Sequence, residues 1–263
     1  MTTAAHLLAQ ARIKHQRLSE LPEAVRPKTP GEAYSVQDGV IDELLAHYGG
    51  SLIGYKIACT NVTAQQQLHV DAPFFGRLLS AFFHEGTGGK PASVDAGQFF
   101  MRVVEAEFAF EMARDLPPSA TPRSREEIAD AVKGVIPGIE IVDSRFNEWT
   151  TIGAPSLIAD NACNAAWVKG SLLTDWRGID LAKQVVTVTV NGKLLREGRG
   201  GNVLGHPLNA LERLVNNLSA CGLGLKAGQF ITTGVTTEVY MAERGDRIKA
   251  GFGPVGSVDL EFV

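Results

Sequence analysis

The hydrophobic pattern changes period near residue 50. Before it, apolar side chains recur at helical spacing: Val36, Val40, Ile41, Leu44 and Leu45 fall on one face. Thr29, Pro30 and Glu32 predict where that helix starts. They supply a capping hydroxyl, a proline at the first helical position and a glutamate that reaches back to the cap. Gly49-Gly50 predicts its end. Leu7, Leu8 and Ala11 predict an earlier helix. From Ser51 the period shortens to two. Strands are predicted at 52–57, at 103–110 and at Val185–Val190, which runs into the tight-turn pair Asn191-Gly192. At the far end Val258, Leu260 and Phe262 alternate with Asp259 and Glu261. Two helical stretches interrupt the strands. One is Pro207–Ala220, with Leu208, Leu211, Leu214, Val215 and Leu218 inward; the other is a shorter stretch at 123–133. The pattern predicts an α+β chain with a helical N-terminal segment, residues 1–50. A mixed or antiparallel β-rich unit with packed helices follows at residues 51–263.

Composition narrows the function classes. The 263 residues are 44% hydrophobic and 21% charged, enough apolar material for a sizeable core. Twenty-five basic against 29 acidic residues give a net charge of −4, which argues against a nucleic-acid partner. No stretch approaches the roughly 20 apolar residues of a membrane helix, and the first dozen residues lack the apolar run of a signal peptide. Cys59, Cys163 and Cys221 are scattered, which suits a reducing compartment. The expectation is a cytoplasmic protein with no membrane partner.

The densest chemistry lies in Arg102-Val103-Val104-Glu105-Ala106-Glu107-Phe108-Ala109-Phe110. Residues i and i+2 of a strand share a face, so Glu105 and Glu107 project together, opposite Val104, Ala106, Phe108 and Phe110. A solvent-facing polar edge accommodates such a pair; so does a cation. Glu140 is a lone carboxylate inside the apolar run Ile136-Pro137-Gly138-Ile139-Glu140-Ile141-Val142 and therefore needs a partner. Arg145 or Lys133 is one choice. A divalent cation shared with Glu105 and Glu107 is the other; carboxylates without neighbouring His or Cys suit a hard ion such as Mg²⁺ or Mn²⁺. Lys56, at the end of Ile53-Gly54-Tyr55-Lys56, either reaches solvent or faces the acidic cluster as a proton donor or anion anchor. The clusters Asp160-Asn161-Ala162-Cys163-Asn164 and Thr232-Thr233-Gly234 read as loops or strand ends, where Gly234 lets backbone approach a ligand. Gly222-x-Gly224-x-x-Ala227 follows a helix, so it reads as a helix cap and not as a dinucleotide loop. The six histidines show no metal spacing, and His206, just before Pro207, reads as structural.

Taken in order, these segments resemble a known group. They are Gly54-Tyr55-Lys56, Val104-Glu105-Ala106-Glu107, Ile139-Glu140-Ile141-Val142-Asp143-Ser144-Arg145, Ala159-Asp160-Asn161-Ala162, Gly198-Arg199-Gly200 with Leu204-Gly205-His206-Pro207, and Thr233-Gly234. The group is that of 2-keto-4-pentenoate hydratase and 4-oxalocrotonate decarboxylase, within the fumarylacetoacetate hydrolase superfamily. The resemblance implies a mixed β-roll catalytic domain, a Mg²⁺ or Mn²⁺ site at Glu105, Glu107 and Glu140, and catalytic Lys56 and Asp71. It implies substrate binding at Asp160, Asn161, Thr233 and Gly234. The reaction implied is hydration of a 2-hydroxy-2,4-dienoate, or its 2-oxo tautomer, to a 4-hydroxy-2-oxo acid in aromatic catabolism. Decarboxylation of a 2-oxo-3-enedioate, whose distal carboxylate would meet Arg102, Arg145 or Arg77, and a non-catalytic partner subunit are the alternatives. The resemblance also implies a homo-oligomer, dimer or higher, and association with a partner hydratase or decarboxylase. One departure stands out. Where relatives often read D-x-P-D-F-G, this chain reads Asp71-Ala72-Pro73-Phe74-Phe75-Gly76, with Phe74 in place of the second acid.

Overall fold

The computed structural model describes residues 2–263. Helices α1 (Ala4–Ile13) and α2 (Pro30–Tyr48) open the chain. Thr29 Oγ1 accepts the Glu32 N–H at 3.3 Å, as the capping pattern predicts. The Glu32 carboxylate goes one residue further back than expected and accepts the Lys28 N–H at 2.7 Å. Next come β1 (Leu52–Ala58), α3 (Val62–Gln67), β2 (Phe74–Leu79), β3 (Phe83–Glu85), β4 (Ala92–Val94) and the long β5 (Val103–Met112). After α4 (Arg125–Ala129) follow β6 (Val132–Val142), α5 (Ala154–Ala159), β7 (Asn164–Lys169), β8 (Val185–Val190) and β9 (Lys193–Arg199). The chain closes with α6 (Pro207–Ala220), β10 (Phe230–Val235), β11 (Tyr240–Met241), β12 (Arg247–Gly251) and β13 (Ser257–Phe262).

The strands form two sheets. The larger has the order β2-β1-β10-β5-β6-β7-β3, with β11 continuing along β5; the smaller has the order β4-β13-β12-β8-β9. Phe108, Phe110, Ile139 and Ile141 of the larger sheet and Ile248, Val258, Leu260 and Phe262 of the smaller share one apolar core. The alternation read in β13 is therefore a core face. A second apolar cluster joins α1 and α2 to the larger sheet, with Leu8, Val40, Leu44, Phe74, Val103, Val142 and Ile158. Asn191 and Gly192 turn the β8–β9 hairpin at φ +51 and +80, as the tight-turn signal predicts.

The helix expected at 123–133 is shorter than its pattern. It spans Arg125–Ala129, and Val132 already pairs with Met112. Ladder pairing along β5 outcompetes further helical turns there. Full burial of Glu107, with Glu105 only partly exposed, also removes the solvent-facing edge as the reading of this pair. Among the described residues, no helix is long and apolar enough to cross a membrane.

Candidate metal centre

Strand register brings the acidic residues together. On adjacent strands Glu105 pairs directly with Glu140, and Glu107 pairs with Gly138 one step along the same face. One oxygen from each of Glu105, Glu107 and Glu140 lies within 4.8 Å of the others. Glu107 and Glu140 are fully buried. Glu105 keeps a small opening to solvent and is otherwise enclosed by protein.

Their partners differ from both bland choices. Arg145 pairs with Asp160 and Lys133 with Glu111, leaving neither for Glu140. Glu140 Oε1 instead lies 3.2 Å from Lys56 Nζ and accepts Asn164 Nδ2 at 2.9 Å. Lys56 is 2% exposed, so it does not reach solvent; its ammonium also donates to Ala162 O at 3.2 Å. Glu107 Oε2 accepts the Gly234 N–H at 2.8 Å. Gly234 has φ +102, and a Cβ there would lie 1.8 Å from Thr60 Oγ1, so only glycine brings this N–H so close. Glu107 Oε1 and Glu140 Oε2 are buried without any protein partner. Two buried carboxylate oxygens without a protein donor, on a cluster of three carboxylates, are a donor set that fits a hard cation.

Electrostatics agree with the geometry. Burial lifts the Glu105 carboxyl to about 7, with Lys56 opposing and Glu140 reinforcing the shift. Burial, then Glu140 and Glu105, hold Glu107 well above the ordinary carboxylate range. Burial works against the Lys56 ammonium, but the charges of Glu140, Glu105 and Glu107 outweigh it and raise its pKa. In the metal-free protein these carboxyls bind protons more tightly when folded than when unfolded. Their contribution to stability therefore falls as pH rises from about 4.5 through 7. A cation needs the carboxylates unprotonated and displaces those protons. Calorimetric titration with Mg²⁺ at pH 6, in two buffers of different ionisation heat, is expected to show release of about one to two protons per ion. The Mg²⁺-induced rise in Tm is expected to grow from pH 6 to pH 8. Equal heats in both buffers would contradict this.

The other expected site residues have separate places. Asp160 Oδ1 accepts Arg145 Nε at 2.6 Å, and its Oδ2 accepts the Arg145 N–H at 3.0 Å and Ser144 Oγ at 3.2 Å. Both polar atoms of the Asn161 amide bond the backbone of Arg77. Thr233 Oγ1 donates to Phe108 O at 2.8 Å, so this pair meets the cluster only through the Gly234 N–H. Asp71 sits in the exposed turn ahead of β2 and forms no ion pair or hydrogen bond among the described residues. Phe74 is buried in the apolar cluster beneath the helices. Burial pushes the Cys163 thiol up, which suits an inert side chain. His206 caps α6 by accepting the Leu208 N–H at 3.0 Å, and Gly222 closes that helix at φ +72.

Sequence reasoning passed over Asn164, although it stood at the end of a quoted polar cluster. It also passed over Thr60 and Trp167, which with Thr232 of the other quoted cluster have a hydroxyl or indole N–H buried without a partner. Trp167 pairs in register with Glu140, a cross-strand relation invisible along the chain.

The fumarylacetoacetate (FAA) hydrolase C-terminal family matches residues 58–263. A 2-keto-4-pentenoate hydratase of Paraburkholderia xenovorans (strain LB400) is 32% identical over 98% of this chain and 93% of its own. A 2-hydroxyhexa-2,4-dienoate hydratase of Comamonas testosteroni is 35% identical over 81% of this chain and 79% of its own. The structure of 4-oxalocrotonate decarboxylase from Pseudomonas putida G7, complexed with magnesium and adipate, superposes with a TM-score of 0.88. It is 27% identical and covers 98% of this chain and 95% of its own. Likeness along nearly the whole length of a relative, together with the family pattern over most of the β-rich unit, means that this chain belongs to the fumarylacetoacetate (FAA) hydrolase C-terminal family.

Proposed function

We propose that the protein is a divalent-metal-dependent hydratase, a lyase that adds water to a 2-hydroxy-2,4-dienoate or its 2-oxo tautomer. The carrying observation is the set Glu105, Glu107 and Glu140, whose buried oxygens Glu107 Oε1 and Glu140 Oε2 have no protein partner. These residues would hold Mg²⁺ or Mn²⁺, which supplies Lewis acidity toward the carboxylate and C2 oxygen of a 2-oxo acid. Lys56, paired with Glu140, is the ammonium at this site; the carboxylates raise its pKa, a bound cation would offset their charge, and Lys56 then serves as the proton donor. It delivers a proton to C5 of the dienoate, and the amine so formed takes up the proton that the 2-hydroxyl releases, leaving a 2-oxo-3-enoate and a restored ammonium. Water oxygen then bonds C4 and a proton returns to C3, giving the 4-hydroxy-2-oxo acid. Glu107, fixed by the Gly234 N–H, keeps the carboxylates in place throughout.

Two observations favour hydration. The hydratase relatives are 32% and 35% identical, whereas a 4-oxalocrotonate decarboxylase of Pseudomonas putida is 30% identical. Each of the three arginines that could meet a distal carboxylate already has protein partners. Arg77 holds Gln37 and Asp38, Arg145 holds Asp160, and Arg102 donates to Ala242 O at 2.9 Å. Decarboxylation remains the second reading because the 0.88 superposition is on a decarboxylase. Self-assembly belongs to the same proposal, supported by the exposed Leu194 and Leu195 on edge strand β9.

The test follows the ultraviolet absorbance of fresh 2-hydroxypenta-2,4-dienoate with Mg²⁺, with Mn²⁺ and with EDTA. Metal-dependent loss of the diene and a product heavier by one water are expected. Absence of turnover with the cation bound would overturn hydration and favour a 2-oxo-3-enedioate as substrate.

A further inference from the structure

We infer that Asn161 is a positioning residue that aims the Lys56 ammonium, and that it does not contact substrate. This rests on Lys56 being the proton donor. Asn161, Ala162 and Cys163 run consecutively through the left-handed region at φ +52, +53 and +59. Three such residues in a row, each with a Cβ, persist only where the surroundings hold them.

The hold is visible. Asn161 Oδ1 accepts the Arg77 N–H at 2.7 Å, and Asn161 Nδ2 donates to Arg77 O at 2.9 Å. That clasp presses the loop onto β2 beside Gly76, where a Cβ would lie 2.4 Å from Asn161 O. Gly76 is the register partner of Lys56 on β1, so the loop lies directly over the lysine. Behind it stands Gln37 of α2, fully buried. Its Nε2 donates to Ile158 O at 2.6 Å and to Phe75 O at 3.1 Å, and its Oε1 accepts from Arg77 Nη1.

The outcome of this bracing is one carbonyl. Ala162 O, in the middle of the left-handed run, accepts from Lys56 Nζ at 3.2 Å, and Glu140 Oε1 forms an ion pair with the same ammonium, also at 3.2 Å. The hydrogen bond and the ion pair, made to two different elements, hold the ammonium in place. Both amide atoms of Asn161 are engaged by the Arg77 backbone, and the residue is 2% exposed, so it is closed off from a substrate. Its effect on the reaction runs through Ala162 and Lys56.

The test is a double-mutant cycle of Asn161→Gly with Lys56→Met. Glycine keeps the left-handed backbone and removes the clasp. In the otherwise unchanged enzyme, kcat is expected to fall about tenfold, with KM and the Mg²⁺ Kd within about twofold. In the Lys56→Met background the same change is expected to cost nothing further. Asn161→Asp, which keeps the acceptor for the Arg77 N–H, is expected to lose less. The Mg²⁺-induced rise in Tm reports whether each variant retains the folded site. A rise in KM in place of a fall in kcat, or a repeated tenfold loss without Lys56, overturns the inference. Full turnover of Lys56→Met alone instead removes the proton-donor reading, and the inference with it.

Discussion

Glu107→Gln is expected to lose at least about 10³-fold in turnover while the protein stays folded. The carboxylate has one oxygen on the Gly234 N–H and one without a partner. A glutamine fills the same volume but turns one of those atoms into a donor, which opposes either the backbone N–H or the cation. Mg²⁺ should then give no rise in Tm. The metal-free variant should melt higher than the parent by roughly 2–4 °C. The reason is that burial and two neighbouring carboxylates hold Glu107 well above its ordinary pKa, so its ionised form opposes folding at neutral pH. Stability gained as activity vanishes separates a functional carboxylate from a structural one. Turnover within tenfold of the parent would remove the cation from the mechanism.

Lys56→Met is expected to lower kcat by about 10²–10⁴-fold, the usual worth of a positioned proton-transfer group. Its other effects separate it from Glu107→Gln. Removing the ammonium strips Glu140 of its counter-charge, which costs on the order of 3–5 kcal/mol for a buried pair, so the metal-free variant should melt lower than the parent. Mg²⁺ should restore much of that loss and bind more tightly, because a competing positive charge has gone. Denaturation with and without Mg²⁺, alongside steady-state kinetics, reads all three. Unchanged kcat would exclude Lys56 as the proton donor.

Much of this was legible along the chain because it depends on local period. The Thr29–Pro30 start, the Asn191-Gly192 hairpin and α6 rest on neighbours in sequence, and each stands where its pattern placed it. Glu105 and Glu107 were legible as a same-face pair, and Glu140 as a carboxylate in need of a partner. What local pattern could not provide was register. The direct pairing of Glu105 with Glu140, and the approach of Lys56 to the same point, depend on long-range alignment of β1, β10, β5 and β6. Gln37 shows the limit in another way. It interrupts the apolar face of α2, and only its bonds to Phe75, Ile158 and Arg77 explain a buried amide there. The helix predicted at 123–133 ends at Ala129 because strand pairing overrides helical propensity.

The strand order also governs how the chain assembles. β10, encoded near the far end, lies between β1 and β5 and pairs with both. During synthesis the early strands therefore have a missing neighbour until Phe230–Val235 has emerged, more than a hundred residues after β5. Until then β1 and β5 present unpaired backbone edges, the kind of surface on which nascent chains aggregate. Folding dominated by such distant pairings is slow. Production at low temperature or with chaperones should accordingly raise the soluble yield, by shielding those edges until β10 arrives.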